Sequence, residues 1–447
     1  MATRPSKIQL GLYGLPAFAL GFSFLFLSNQ LMYFGTNVLL LGPGVLGSLL
    51  FLARLWDAVT DPAAGYLSDI TRTGWGRRRP WLFAAAIPLG VAFFAIWWIP
   101  VQAAESSRAF WLSACVILYF TAHTAATMPH DALGAELVPG YRDRTRVFAA
   151  KRIAHTLGSL TFLWFASQLA GAPASTFQTL ALPGSLALAV FFIAAAVGIR
   201  EPLNHQRRPD QRPPKLFRSL ASVWRNRHAR VLITVFIAQQ LAIALLLAGM
   251  PYFSEYVLND PQALAKVFLV VFATTVLAIP IWTRIGDHFE KKPLVITSML
   301  LVGIGLGTLA FGGAQNPFVL YAAAFLAGIG NAGADILLPS LQADAIDADE
   351  LETGQRNEGV YFATWALVLK FSYALAWAIT GFALELVDFE PAQVQPERAL
   401  FAIQMVTGGA PFVIYLLGVL SFLRFQLDEA EHTRIRTLID ARADPRT

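Results

Sequence analysis

The chain is 447 residues long, 56% hydrophobic and only 14% charged, with a mean hydropathy of +0.53; a soluble domain of this composition would expose far too much apolar surface. A soluble enzyme core is excluded, and the length suits a polytopic membrane protein with about twelve spans of ~20–30 residues. One cysteine, Cys115, excludes a disulfide framework and a cysteine metal cluster, and the net charge of +5 is arranged as a topology signal rather than a nucleic-acid surface.

Apolar segments follow one another at approximately 10–40, 44–70, 80–101, 109–138, 147–171, 178–199, 230–258, 263–288, 293–313, 317–346, 357–387 and 398–424. The first is too long for the apolar stretch of a cleavable leader. Apart from Arg54 and Lys370, twenty-nine Lys and Arg residues fall in the loops and span ends of one side and three, Arg108, Lys266 and Arg398, on the other. That asymmetry predicts an integral plasma (inner) membrane protein with both termini and the long Arg200–Arg230 connection in the cytoplasm.

The Pro- and Arg-rich connection also predicts the domain organisation: a six-helix bundle over 1–199, a cytoplasmic linker at 200–229, a second six-helix bundle over 230–426 and a cytoplasmic tail at 427–447. An internal repeat points the same way. Gly-Tyr-Leu-Ser-Asp69 and Arg77-Arg-Arg-Pro80 after the second span are answered by Thr-Arg-Ile-Gly-Asp287 and Lys291-Lys-Pro293 after the eighth. Pro129 and Arg146 stand at the same separation as Pro339 and Arg356. Two duplicated halves describe the major facilitator architecture: an all-α membrane protein with twelve transmembrane helices in two pseudo-symmetric six-helix bundles, working as a monomer on a small-molecule substrate near the midplane.

Several residues carry chemistry that a span does not tolerate for packing alone. Asp57 and Asp61, at i and i+4, share one helix face, and two acids in an apolar helix demand a cation. The plainer reading is a charge cluster with Arg54 and Lys370. Lys370 lies too deep in the eleventh span to snorkel comfortably, so opposite charge must meet it. Asp335 is the deeper of two further acids, the other being Glu255. Gln30 and Trp365 are among the neutral side chains able to contact a solute, although single polar residues in spans more often bond a neighbouring helix. Asp69 with Arg77, Arg78 and Arg79, together with Glu136 and Asp143, reads as a cytoplasmic gate. His123, His130, Asp131 and Glu136 specify no complete metal ligand set.

Arg54-Leu-Trp-Asp-Ala-Val-Thr-Asp-Pro62, Gly65-Tyr-Leu-Ser-Asp69 and Gly76-Arg-Arg-Arg-Pro-Trp81 resemble the signature of the glycoside-pentoside-hexuronide:cation symporter family of the major facilitator superfamily. Met128-Pro-His-Asp-Ala-Leu-Gly-Ala-Glu-Leu137 with Asp143-Arg-Thr-Arg146, and Glu352-Thr-Gly-Gln-Arg-Asn-Glu-Gly359, look like its later motifs. The resemblance implies a secondary active symporter working by alternating access. Its coupling ion would be Na+ or H+ and it would need no other cofactor. The cation site it implies is Asp57, Asp61, Thr60 and Thr124, with the two acids as the Na+ ligands if sodium couples. Lys370 would couple cation occupancy to conformation, and Arg152 would lie near the substrate, its rival role being to snorkel at the cytoplasmic edge.

The implied substrate is a sugar or glycoside. The alternative is a lysophospholipid or other amphiphile, since vertebrate lysophospholipid symporters share this branch. Melibiose-type members place sugar-binding acids where this chain has Gly21 and Thr127, and a lysine where it has Leu20; apolar replacements cannot accept the bidentate hydroxyl hydrogen bonds that an Asp accepts.

Overall fold

The computed structural model describes residues 6–137, 141–166, 168–169, 171–199, 201, 223–313, 316–354, 358–391 and 393–443. Each of the twelve apolar segments contains a helix. They are α1 (Lys7–Tyr33), α2 (Pro43–Ile70), α3 (Arg79–Trp97), α4 (Glu105–Glu136), α5 (Tyr141–Ala166), α6 (Ala174–Gly198), α7 (Arg227–Tyr252), α8 (Ala263–Gly286), α9 (Lys291–Phe311), α10 (Pro317–Thr353) and α11 (Glu358–Glu385), with the twelfth segment formed by α12 (Glu397–Gln404) and α13 (Ala410–Phe422). A further helix, α14 (Glu429–Ala443), occupies the C-terminal tail. Among the described residues, extended pairing is confined to an isolated bridge between Thr73 and Gly76.

Sequence chemistry sets many of the helix ends. Ser6 and Gln9 form a reciprocal capping box at the start of α1. Asn226 and Asn316 accept backbone N–H groups at the starts of α7 and α10. Pro43, Pro80 and Pro317 occupy first-turn positions, where no donor is needed.

Among the described residues, ten helical stretches are long and apolar enough to cross a membrane. The two spans outside that group are α2 and α5, which carry Arg54, Asp57, Asp61 and Asp69, and Arg146, Lys151 and Arg152, respectively. Charge at membrane depth is retained where it has work to do.

The chain divides into two compact units. The first comprises Met1–Pro213, Ser254–Ala265 and Trp377–Pro396; the second comprises Pro214–Phe253, Lys266–Ala376 and Glu397–Thr447. Within the first, α1 packs on α5 and α6, and α3 packs on α4 and α6. Its core is aromatic: Phe26 stacks on Trp97 at 4.3 Å and Trp97 lies 5.7 Å from Phe177, both in stacked geometry. The pairings α3 with α4, α3 with α6 and α1 with α6 recur in the second unit as α9 with α10, α9 with α13 and α7 with α13. There Gly330 brings α10 against α9 so closely that a Cβ would lie 2.4 Å from the Ser298 carbonyl oxygen.

Backbone detail repeats as well. Helices α1 and α7 each run into a π-helical turn, Phe34–Val38 and Phe253–Val257. Each turn is followed at the same offset by a residue in the left-handed region, Leu40 (φ 52°) and Asn259 (φ 51°). A non-glycine residue costs energy there, and π-turns cluster at functional segments.

Candidate functional site

The second span supplies Arg54, Asp57 and Asp61 at i, i+3 and i+7, on one face of α2. Opposite them on α4 stands Thr124. Its Oγ1 lies 2.7 Å from Asp57 Oδ1 and 2.8 Å from Asp61 Oδ1. Arg54 Nη1 donates to Asp57 Oδ2 at 3.0 Å, and its guanidinium sits 4.8 Å from the centre of the Phe120 ring. Asp57 and Thr124 are buried, and Asp61 is half-buried.

A threonine hydroxyl has a single proton and can donate to one carboxylate at a time. Two ionised carboxylates at hydrogen-bond distance from the same oxygen leave one O···O contact with lone pairs facing lone pairs. A proton on one acid or a small cation among the three oxygens removes that repulsion. Thr60, on the same helix, donates its hydroxyl to the Asp57 carbonyl at 3.1 Å; its proton is committed, and its lone pairs remain able to meet an ion.

The structure distributes the other anticipated residues over both units. Gln30 is buried on α1 and donates from Nε2 to Asn29 Oδ1 at 2.8 Å. Arg152 is exposed on α5. Its neighbour Lys151 pairs with Asp131, and the adjacent His130 stacks on Tyr13 at 4.4 Å while its Nε2 contacts the Tyr13 carbonyl at 3.0 Å. Lys151 was not singled out by the sequence, because nothing in its spacing relates it to Asp131. In the second unit, Lys370 is buried on α11, Trp365 stacks on Tyr361 one turn away, and Asp335 accepts from Asn331 Nδ2 at 3.3 Å.

Gly21 explains one missing acid. Helices α1 and α5 cross with their backbones almost touching: a Cβ on Gly21 would lie 1.9 Å from the His155 carbonyl oxygen, and one on Gly158 would lie 1.9 Å from that of Phe18. No side chain fits at position 21. Thr127 turns its hydroxyl to the His123 carbonyl at 2.8 Å.

The turn after α2 is built on carboxylates. Arg78 pairs with Asp69 and donates from Nη1 to Ser68 Oγ at 2.6 Å. Glu201 accepts the backbone N–H groups of Arg77 at 2.9 Å and Arg78 at 3.0 Å. The chain reaches Glu201 through Gly76, whose φ of 108° suits glycine and whose missing Cβ leaves room for the carboxylate. Arg79 caps the end of α6 by donating to the Ala196 and Val197 carbonyls at 2.6 and 3.1 Å. Its repeat counterpart Lys292, also preceding a proline, donates to the Leu423 and Phe425 carbonyls at 3.0 and 2.7 Å beyond α13.

Glu201 is thus the acid against which this turn folds, and sequence reasoning missed it because it sits in a polar connection with no pattern of its own. The side chains of Glu136 and Asp143, expected beside the turn, lie outside the described residues, as does most of the 200–229 linker.

The MFS/sugar transport protein family model matches residues 12–429. The human sodium-dependent lysophosphatidylcholine symporter 1 is 26% identical over 444 residues, covering 90% of this chain and 80% of its own. The isoprimeverose transporter of Lactiplantibacillus pentosus is 26% identical over 429 residues, covering 94% and 88%. Among solved structures, a D-xylose–proton symporter superposes with a TM-score of 0.65 at 16% identity, over 93% of this chain and 96% of its own, which shows the major facilitator fold. The family model and these relatives describe transporters, so the chain is an integral membrane transporter and not an enzyme. It belongs to the MFS/sugar transport protein family.

Proposed function

We propose that the chain is a secondary active symporter that couples a cation, Na+ or H+, to a small organic solute by alternating access. The observation that carries this reading is the Thr124 hydroxyl held between Asp57 and Asp61. Two carboxylates and a hydroxyl make an oxygen-only set suited to a hard ion or a proton. Occupancy removes the repulsion between the two acids and so changes the relative free energy of transport states that hold them differently.

In this reading the halves 1–199 and 230–426 alternate about the 200–229 linker, with both termini and the basic turns in the cytoplasm and the protein a monomer in the inner membrane. Lys370 reports cation occupancy to the second half, while Asp335, Trp365, Gln30 and Arg152 serve the solute. Asp69 and Arg78, with Arg77 and Arg79 and with Glu136 and Asp143, form the cytoplasmic gate. The Arg78 pair supports this role: it joins the end of α2, the helix that carries the cation acids, to the start of α3.

The substrate we assign is a sugar or glycoside, supported by the family model and by the relative named as an isoprimeverose transporter. A second reading, a lysophospholipid or related amphiphile, is favoured by Gly21, where the helix crossing excludes the acid that melibiose-type members use, and by the lysophosphatidylcholine symporter relative. Uptake into proteoliposomes, with glycosides and lysophospholipids tested under Na+, H+ and null gradients, separates these readings. Accumulation of one class that requires a cation gradient and disappears in Asp57→Asn is the expected result. If no solute of either class accumulates under either gradient, the symporter reading fails.

A further inference from the structure

At the end of α7 and α13 that carries the basic turns, the second unit has a groove of about 530 Å³ lined by Trp224, Arg227, Arg230, Thr234, Ser421 and Arg424 among others. Three of its lining residues are arginines, and no carboxylate lines it. Among the described residues, Arg230 and Arg424 take part in no ion pair, and Arg227 donates from Nε to the neighbouring His228 ring at 3.1 Å. The carbonyl oxygens beside Arg424, those of Leu423 and Phe425, are already taken by Lys292. The positive end of the α7 dipole opens at the same place. The lining therefore concentrates positive charge without a carboxylate among its own residues, with two hydroxyls, Thr234 and Ser421, along its wall.

Its apolar continuation is equally specific. Val413, Leu417 and Leu420 are exposed along α13 at helical spacing and lead down to Ser421 and Arg424. Trp224, half-exposed at the mouth, is the residue type favoured at the membrane–water boundary. A ligand that fits both parts has an anionic head and an acyl tail.

The geometry points to a site for an anionic phospholipid of the surrounding bilayer, its phosphate held by Arg227, Arg230 and Arg424 and its acyl chain lying on the Val413–Leu420 stripe. This site is separate from the Asp57–Asp61–Thr124 cluster and does not depend on which solute is transported. Guanidinium groups suit it because they bond phosphate oxygens in pairs, and each cation near an anionic headgroup adds to retention. Such a lipid would tie the first and last helices of the second half together at the bilayer edge.

The test is titration of the full-length protein, in a neutral detergent, with dioleoylphosphatidylglycerol, dioleoylphosphatidylcholine or inorganic phosphate, read by native mass spectrometry. Phosphatidylglycerol is expected to be retained more strongly than phosphatidylcholine. Arg230→Gln/Arg424→Gln should weaken its retention about 30-fold, the equivalent of two headgroup charges. Arg230→Lys/Arg424→Lys keeps the charge, guards against a folding defect and should retain most of the binding. Arg72→Gln/Arg284→Gln, with the same charge loss elsewhere, should bind like the parent. Equal retention of the two lipids overturns the proposal, as does an unchanged affinity in Arg230→Gln/Arg424→Gln. Displacement of phosphatidylglycerol by millimolar inorganic phosphate overturns it too, since the groove would then be a site for free phosphate.

Discussion

Replacing Thr124 by valine isolates the feature on which the cation reading rests. Valine keeps the branched shape and removes only the oxygen that lies 2.7 Å from Asp57 and 2.8 Å from Asp61. A hydrogen bond to a charged group contributes about 1.5–3 kcal/mol, so loss of this oxygen should weaken the cation by about 10- to 150-fold. The measurement needs no substrate. A cation that binds the folded state stabilises it by RT ln(1 + [L]/Kd), about 2.7 kcal/mol at one hundred times Kd. Thermal unfolding in detergent, followed against Na+ with choline replacement and repeated across pH, therefore gives a midpoint concentration. The parent should be stabilised by Na+ or by protons, and Thr124→Val should need a correspondingly higher concentration for the same shift. An identical midpoint in parent and variant would refute the three-oxygen site.

Other outcomes follow from neighbouring contacts. Gly21→Ala should lower the melting temperature, by the equivalent of about 1–3 kcal/mol or more of overpacking, because its Cβ would lie 1.9 Å from the His155 carbonyl; an unchanged melting curve would contradict the close α1–α5 crossing. Asp69→Asn should leave the Na+ midpoint in place while raising labelling of a cysteine introduced at the Asp69 end of α2, and the single native Cys115 is buried on α4 and gives little background. Glu201→Gln removes the charge that two backbone N–H groups share, and should destabilise the protein by about 1–3 kcal/mol in thermal unfolding. Asp347→Asn should loosen α14, which is held through His432 at 3.2 Å and Arg436 at 3.4 Å, and should increase proteolysis within residues 429–443.

The spans and the acids were legible in the sequence for one physical reason: the bilayer punishes charge, so Asp57 and Asp61 stand out against an apolar helix. Thr124 is different. A hydroxyl costs little in a span, and its relation to acids in another helix is invisible to spacing; only the family resemblance singled it out. Gly21 shows the same limit from the other side, since sequence revealed a missing acid but not the helix crossing that leaves no space for it. Glu201 and Lys151 act through partners distant in the chain and carry no local pattern. The tail helix α14 was read only as a tail because its sequence is polar, and its packing rests on Ile435 and a few charged contacts. By contrast the repeat was legible at single-residue detail: Arg79 and Lys292, each placed before a proline, close the ends of α6 and α13 in the same way.

The central claim is that Asp57 and Asp61 convert a cation gradient into solute accumulation, and coupled flux in proteoliposomes tests it most directly. With a transported solute in hand, the parent should concentrate it under an inward Na+ or H+ gradient. Asp61→Asn should retain solute exchange across the membrane yet lose gradient-driven accumulation. Accumulation by Asp61→Asn and Asp57→Asn equal to that of the parent would contradict the account.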